Sequence, residues 1–126
     1  MQTIPYQTHA ARPARELPWL VAVDGGGSGT RARLWSWQGG LLGEGSAGPS
    51  GLSLGATAAW LAVESAATAA LRQAGLSLAS ERSRTLLALG MAGANAPLAA
   101  RAFLSAAPAW GWLVLAGDGQ AALLGA

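Results

Sequence analysis

Two acids in this chain stand at the ends of short apolar runs, beside glycine, and they are where chemistry is expected. The first opens Asp24-Gly25-Gly26-Gly27-Ser28-Gly29-Thr30, directly after Trp19-Leu20-Val21-Ala22-Val23. Glycines permit positive φ and bring backbone N–H groups close to an anion. Ser28 and Thr30 add hydroxyl donors, so Gly25, Gly26, Gly27, Ser28 and Thr30 are candidates for holding phosphate. Asp24 repels phosphate but can hold a divalent cation through water, and the cation can bridge to the phosphates. An ordinary glycine-rich hairpin turn is the competing reading.

The second acid is Asp118, in Gly117-Asp118-Gly119 after the run Trp112 to Ala116. An accessible carboxylate there can accept a proton from an attacking hydroxyl; it can equally be a helix N-cap. Between the two acids, Gly90-Met91-Ala92-Gly93-Ala94-Asn95 can line a cleft with backbone and the Asn95 amide, or be a strand-to-helix turn capped by Asn95. Rival motifs fail. A P-loop needs a lysine, and the chain has none; a dinucleotide fingerprint starting at Gly25 needs glycine at Thr30; a nucleophile elbow around Ser28 needs glycine there too.

Composition narrows the classes. The 126 residues fit one domain, 52% apolar and only 11% charged, outside the disordered range and rich enough to leave a hydrophobic face exposed. All eight basic residues are arginines, scattered at a net charge of +2, so no nucleic-acid stripe is expected. Cysteine is absent and His9 is the one histidine, which removes disulfides, thiolate metal sites and histidine-based triads. The tract Ala56 to Ala74 carries Glu64, Arg72 and Gln73 and reads as an amphipathic helix; no membrane partner is expected. Met1 to Pro18 reads as a flexible tail without a secretory h-region, and residues 19–126 as the folded unit.

The elements that must position these residues alternate in kind. After the strand Trp19–Val23, Thr30 to Trp37 alternates, with Ala32, Leu34 and Ser36 on one side. Gln38-Gly39-Gly40 reads as a hairpin turn, and Leu41 to Ala47 as a third strand weakened by Gly43 and Gly45. Ser53 is the expected N-cap of a helix from about Leu54 to Gln73, with Trp60, Leu61, Glu64, Ala67, Thr68 and Leu71 on one stripe and Gly75 as its stop. Leu78 to Thr85 reads as a polar connection and Leu86–Leu89 as a strand. A helix from Asn95 to about Ala106 follows, with Pro97 in its first turn, then a strand at Trp112–Ala116 and a helix from near Gln120. The order β-β-β-α-β-α-β-α implies an α/β fold with a mixed five-stranded sheet. Ligands in crossover-type sheets bind beyond the carboxyl ends of strands, where both acids stand.

Taken together, Asp24-Gly25-Gly26-Gly27-Ser28 with Arg31-Ala32-Arg33-Leu34, then Leu41-Gly43-Glu44-Gly45, Gly48-Pro49, Leu89 to Asn95, and Asp118 with Ala121, Ala122, Leu124, Gly125 and Ala126 resemble bacterial glucosamine and N-acetylglucosamine kinases. These belong to the BadF/BadG/BcrA/BcrD ATPase group of the actin-like ATPase superfamily. The resemblance covers residues 19–126, the N-terminal lobe, and implies an RNase H-like lobe with ATP and Mg²⁺ bound between it and a second, absent C-terminal lobe. It implies Asp24 as the metal-linked acid, Gly25 to Ser28 and Thr30 at the phosphates, and Asp118 as catalytic base. Ser50, Gly93, Ala94, Asn95 and Asp118 are then the residues near the sugar. The implied reaction is 6-phosphorylation of glucosamine or N-acetylglucosamine in the cytoplasm, with a homodimer among the expected assemblies and no turnover by this single lobe alone. Relatives often carry threonine at the position of Ser28, and asparagine after the Gly-Pro where Ser50 and Gly51 stand here. The alternatives are an activator ATPase of the same group, and a non-catalytic lobe that binds a partner or an anion.

Overall fold

The computed structural model describes residues 4–6 and 17–117. The strands are β1 (Ile4–Tyr6), β2 (Trp19–Gly25), β3 (Thr30–Ser36), β4 (Gly40–Ala47), β5 (Thr85–Met91) and β6 (Trp112–Gly117), and the helices are α1 (Ala56–Gln73), α2 (Leu78–Glu81) and α3 (Pro97–Ser105). The six strands form one mixed sheet in the order β1-β6-β5-β2-β3-β4. β2, β5 and β6 run parallel, while β3, β4 and β1 are antiparallel to their neighbours. The five expected strands are all present. The sixth, β1, falls in the stretch read as a flexible tail, and Leu17 from the same stretch is buried. Three residues with a central proline carry no strand signal of their own; pairing with the edge of β6 supplies it. The helix expected from Gln120 lies outside the described residues.

Strand alternation decides which side is core. Val21, Val23, Ala32, Leu34, Leu87, Leu89, Leu113 and Leu115 are all buried in one cluster with α1 and α3. The opposite face carries Leu20, Ala22, Leu86, Trp112 and Val114, which are only partly buried. Trp60 ties the two helices: its ring stacks on Phe103 with centroids 4.2 Å apart, and its Nε1–H donates to the Phe103 carbonyl at 2.7 Å.

Three local expectations are corrected. The buried stripe of α1 is Ala59, Trp60, Val63, Ala66, Ala67, Ala70 and Leu71, and Leu61 points outward at 69% exposure. This alanine face lies on Gly43 and Gly45 of β4, where an added Cβ would come within 2.1 Å of the Ala70 and Ala66 carbonyl oxygens. The two glycines therefore permit close helix–sheet contact, which a reading of strand propensity registers only as weakness. Neither Ser53 nor Asn95 caps a helix. Ser53 lies inside a 3-10 turn, Leu52–Leu54, and the N-caps are Gly55 and Ala96, with no side-chain cap bond at either. The connection after α1 is helical, through α2 and a 3-10 turn at Arg82–Arg84. Gly75 does stop α1: at φ +76° it lets its own N–H reach the Arg72 carbonyl and the Leu76 N–H reach Leu71.

Candidate phosphate and acceptor site

The strand registers bring one row of residues to one end of the sheet. Ala47 pairs with Thr30, Thr30 with Gly25, Gly25 with Met91, and Met91 with Gly117. The segments leaving this row, 25–30, 48–51 and 92–95, build the site. Backbone hydrogen bonds stitch them together. The Ala92 N–H donates to the Gly25 carbonyl at 2.9 Å, Ser50 N–H to Gly26 at 3.0 Å, and Leu52 N–H to Ala92 at 2.9 Å. Each loop thereby meets the backbone needs of the next, as buried polar groups require.

Within the first loop, Gly26 N–H donates to the Gly29 carbonyl, closing a tight turn. None of its glycines has positive φ; among the described glycines that conformation occurs at Gly40, Gly55, Gly75 and Gly93. Of these glycines, Gly25 is the one that space requires. A Cβ on Gly25 would stand 2.1 Å from Ser50 Oγ, whereas one on Gly27 would meet nothing within 4 Å. Gly27 is thus open on its outer side, and its N–H makes no protein hydrogen bond.

Thr30 and Ser50, two of the expected ligand residues, are buried and bonded to each other. Ser50 is 0% exposed and Thr30 4%. The Thr30 hydroxyl donates to the Gly48 carbonyl at 2.7 Å, and the two hydroxyl oxygens are 2.6 Å apart. A carbonyl only accepts, so the Thr30 proton is committed to Gly48 and the Ser50 hydroxyl donates to Thr30 Oγ1. The pair locks loop 48–51 to the root of the glycine loop and presents neither hydroxyl to solvent. Sequence alone cannot distinguish a hydroxyl facing a ligand from one facing another hydroxyl.

Two hollows flank Gly27. One is lined by Asp24 through Arg31 with Ser46, Ala47 and Ala92; the other by Gly27, Pro49, Gly51, Ser53, Leu54, Ala92 and Gly93. They share Gly27 and Ala92. Asp24 and Ser28 are exposed in the first, and Arg31, which the sequence reading passed over as a site residue, lies beside them opposite Asp24 in the β2–β3 register. Its signal was its place in the strand that returns from the glycine turn. Of the expected acceptor residues, Gly93 lines the second hollow, Ala94 is buried in the core, and Asn95 is exposed but lines neither. Ser53 and Leu54 were missed, because they were read as the start of a helix; Gly51 was read as loop beside Ser50 and not named as a site residue. Asp118 lies outside the described residues, one position beyond Gly117 at the end of the shared row.

No group of three or more metal-ligating side chains occurs among the described residues. The exposed Asp24 carboxylate beside the first hollow fits a hydrated Mg²⁺, which keeps several waters and takes one or two carboxylates. Among the described residues no helix is long and apolar enough to cross a membrane.

No protein-family model matches the chain. Over 108 residues it is 35% identical to glucosamine kinase GspK of Vibrio cholerae, covering 86% of this chain and 36% of that protein. The chain resembles part of an amino-sugar kinase. A solved structure agrees: a Chromobacterium violaceum protein, provisionally named an N-acetylglucosamine kinase, superposes with a TM-score of 0.78 at 41% identity, over 86% of this chain and 38% of that one. The chain thus spans somewhat more than a third of the length of these amino-sugar kinases, in their N-terminal part. Neither is named as an activator ATPase or as a non-catalytic lobe.

Proposed function

We propose that this chain is the phosphate- and acceptor-binding part of an ATP-dependent amino-sugar kinase, with an RNase H-like lobe of the actin-like ATPase type. The observation that carries the reading is the pair of hollows meeting at Gly27 and Ala92. Phosphoryl transfer needs a phosphate chain and an acceptor hydroxyl side by side in fixed orientation, and here the two cradles share a wall. The sheet order, with parallel strands β2, β5 and β6 at its centre and the site at their carboxyl ends, supports the same reading.

The roles follow from chemistry. Gly26, Gly27 and Ser28 offer N–H and hydroxyl donors to the phosphates, and Arg31 offers a guanidinium. Asp24 would hold Mg²⁺, which would supply charge neutralisation to the phosphates. The acceptor, glucosamine or N-acetylglucosamine, lies against Gly51, Leu54 and Gly93. Its 6-hydroxyl oxygen bonds to the γ-phosphorus, the bond from that phosphorus to the ADP oxygen breaks, and the hydroxyl proton passes to Asp118. Thr30 and Ser50 hold the two loops in register rather than touching ligand. The remaining two thirds of the relatives' length corresponds to a second lobe that closes over the nucleotide.

The test is ADP release and sugar-phosphate formation by the protein in full, with Mg²⁺ and either amino sugar. Sugar-dependent ADP release is expected, and Asp24→Asn should lower kcat/KM by about 10–100-fold while leaving the melting temperature close to that of the parent. ATP hydrolysis that does not depend on any sugar would defeat the proposal.

A further inference from the structure

We infer that β1 guards an association surface: without it, the edge of β6 pairs antiparallel with β6 of a second copy of this chain. The inference is independent of the kinase reading. It starts from the unequal edges of the five strands β2 to β6. At one edge, β4 is blunted by its own sequence. Glu44 is exposed and charged, and the register against β3 shifts between Leu34 and Trp35. The Glu44 N–H is taken by Gln73 Oε1 at 2.8 Å. At the other edge, β6 reads Trp112-Leu113-Val114-Leu115-Ala116, with no charge and no proline, and its register against β5 is unbroken. Such an edge is a template for another strand. Among the described residues, only β1 covers it.

The way β1 pairs also ends the sheet. Ile4 stands opposite Leu115, Pro5 opposite Val114 and Tyr6 opposite Leu113. Opposed residues of an antiparallel pair alternate between exchanging both backbone bonds and exchanging none. Proline has no N–H, so Pro5 and Val114 are the pair that exchanges none, and Ile4 and Tyr6 carry the bonds to Leu115 and Leu113. Pro5 then turns a carbonyl outward and no N–H, so a further strand finds no donor there. Leu17 holds the same N-terminal stretch close to the start of β6. It is 1% exposed, its carbonyl accepts from Trp37 Nε1, and a Cβ on Gly111 would stand 2.9 Å from its Cδ1. A tethered strand acts at an effective concentration on the order of millimolar, which a second copy at micromolar concentration does not match. With β1 gone, the backbone groups of Leu113 and Leu115 are open. A second β6 fits them in the register that β1 leaves, with Val114 opposite Val114 and each copy giving and receiving the same bonds. The cross-strand pairs are apolar throughout.

The experiment is sedimentation velocity over a micromolar concentration range, comparing the protein in full with a form lacking Met1 to Tyr6. The shortened form should self-associate at least tenfold more tightly than the parent. Excess synthetic peptide Met1-Gln2-Thr3-Ile4-Pro5-Tyr6-Gln7-Thr8 should reverse this by taking the vacated edge. A folded shortened form with the parent's association constant, or association that the peptide leaves unchanged, would overturn the inference. Amide hydrogen exchange on the intact protein tests it without the deletion. The Leu113 and Leu115 amides should be protected, and exchange at the rate of an unstructured chain would equally overturn it.

Discussion

Gly45→Ala should cost this protein a large share of its stability, although the change adds one methyl to a surface-adjacent strand. The added Cβ would stand 2.1 Å from the Ala66 carbonyl oxygen, 2.7 Å from the Ala70 nitrogen and 2.7 Å from the Ala69 Cβ. The first two atoms belong to α1's own backbone, in the turn where the Ala70 N–H reaches back to Ala66, so no side-chain rotation relieves the clash. Either α1 moves away by about 1 Å or more, or that hydrogen bond opens. Moving α1 unseats Trp60, Val63 and Leu71 from the core. Overpacking costs typically about 1–3 kcal/mol, and the backbone obstruction places this case near the top of that range. Against a total stability on the order of 5–15 kcal/mol, about 3 kcal/mol corresponds to a fall in melting temperature of roughly 10–20 °C for a domain of this size. Urea unfolding followed by circular dichroism measures it, with Gly48→Ala as control. At Gly48 a Cβ meets nothing within 4 Å and φ is not positive, so that change should stay within about 0.5 kcal/mol of the parent. A Gly45→Ala midpoint as close to the parent as the control's would refute the argument that α1 rests directly on β4.

Other expectations separate site from scaffold. Gly27→Ala has open space for its methyl, so the melting temperature should hold while the KM for ATP rises at least tenfold; unchanged nucleotide kinetics would show that the phosphates lie elsewhere. Thr30→Val leaves the buried Ser50 hydroxyl without an acceptor and the Gly48 carbonyl without its donor. It should destabilise by about 1–3 kcal/mol, while Thr30→Ser, which keeps the hydroxyl, should avoid most of that loss; equal denaturation midpoints for the valine and serine variants would refute the brace.

Much of the site was legible in residue types. Val21 and Val23 running into Asp24 and three glycines can only be a buried strand ending in an exposed turn, and the structure has that strand ending at Gly25. Alternation at Ala32 and Leu34 named the core face of β3 correctly. Other positions misled for identifiable reasons. Ser53 and Asn95 have the side chains of helix caps, but the backbone runs on through a 3-10 turn in one case and a bend in the other before each helix begins. Cap preference is a local tendency of about 1 kcal/mol, and it yields to hydrogen bonds such as Leu52 to Ala92 that join distant loops.

The division between the two sources of information is physical. By itself the sequence determined what depends on neighbours along the chain: the strand–turn–strand around Asp24, the stop of α1 at Gly75, the succession β2-β3-β4-α1-β5-α3-β6, and the absence of cysteine and lysine. Only the tertiary structure decided what depends on residues far apart in sequence. It turned Thr30 and Ser50, twenty positions apart, from expected ligands into a buried brace. It made Gly43 and Gly45 a seat for α1, drew Ile4–Tyr6 into the sheet, and set two hollows on either side of Gly27. Side-chain type sets what a residue can bond to, but which partner it meets depends on packing between elements that the local sequence does not encode.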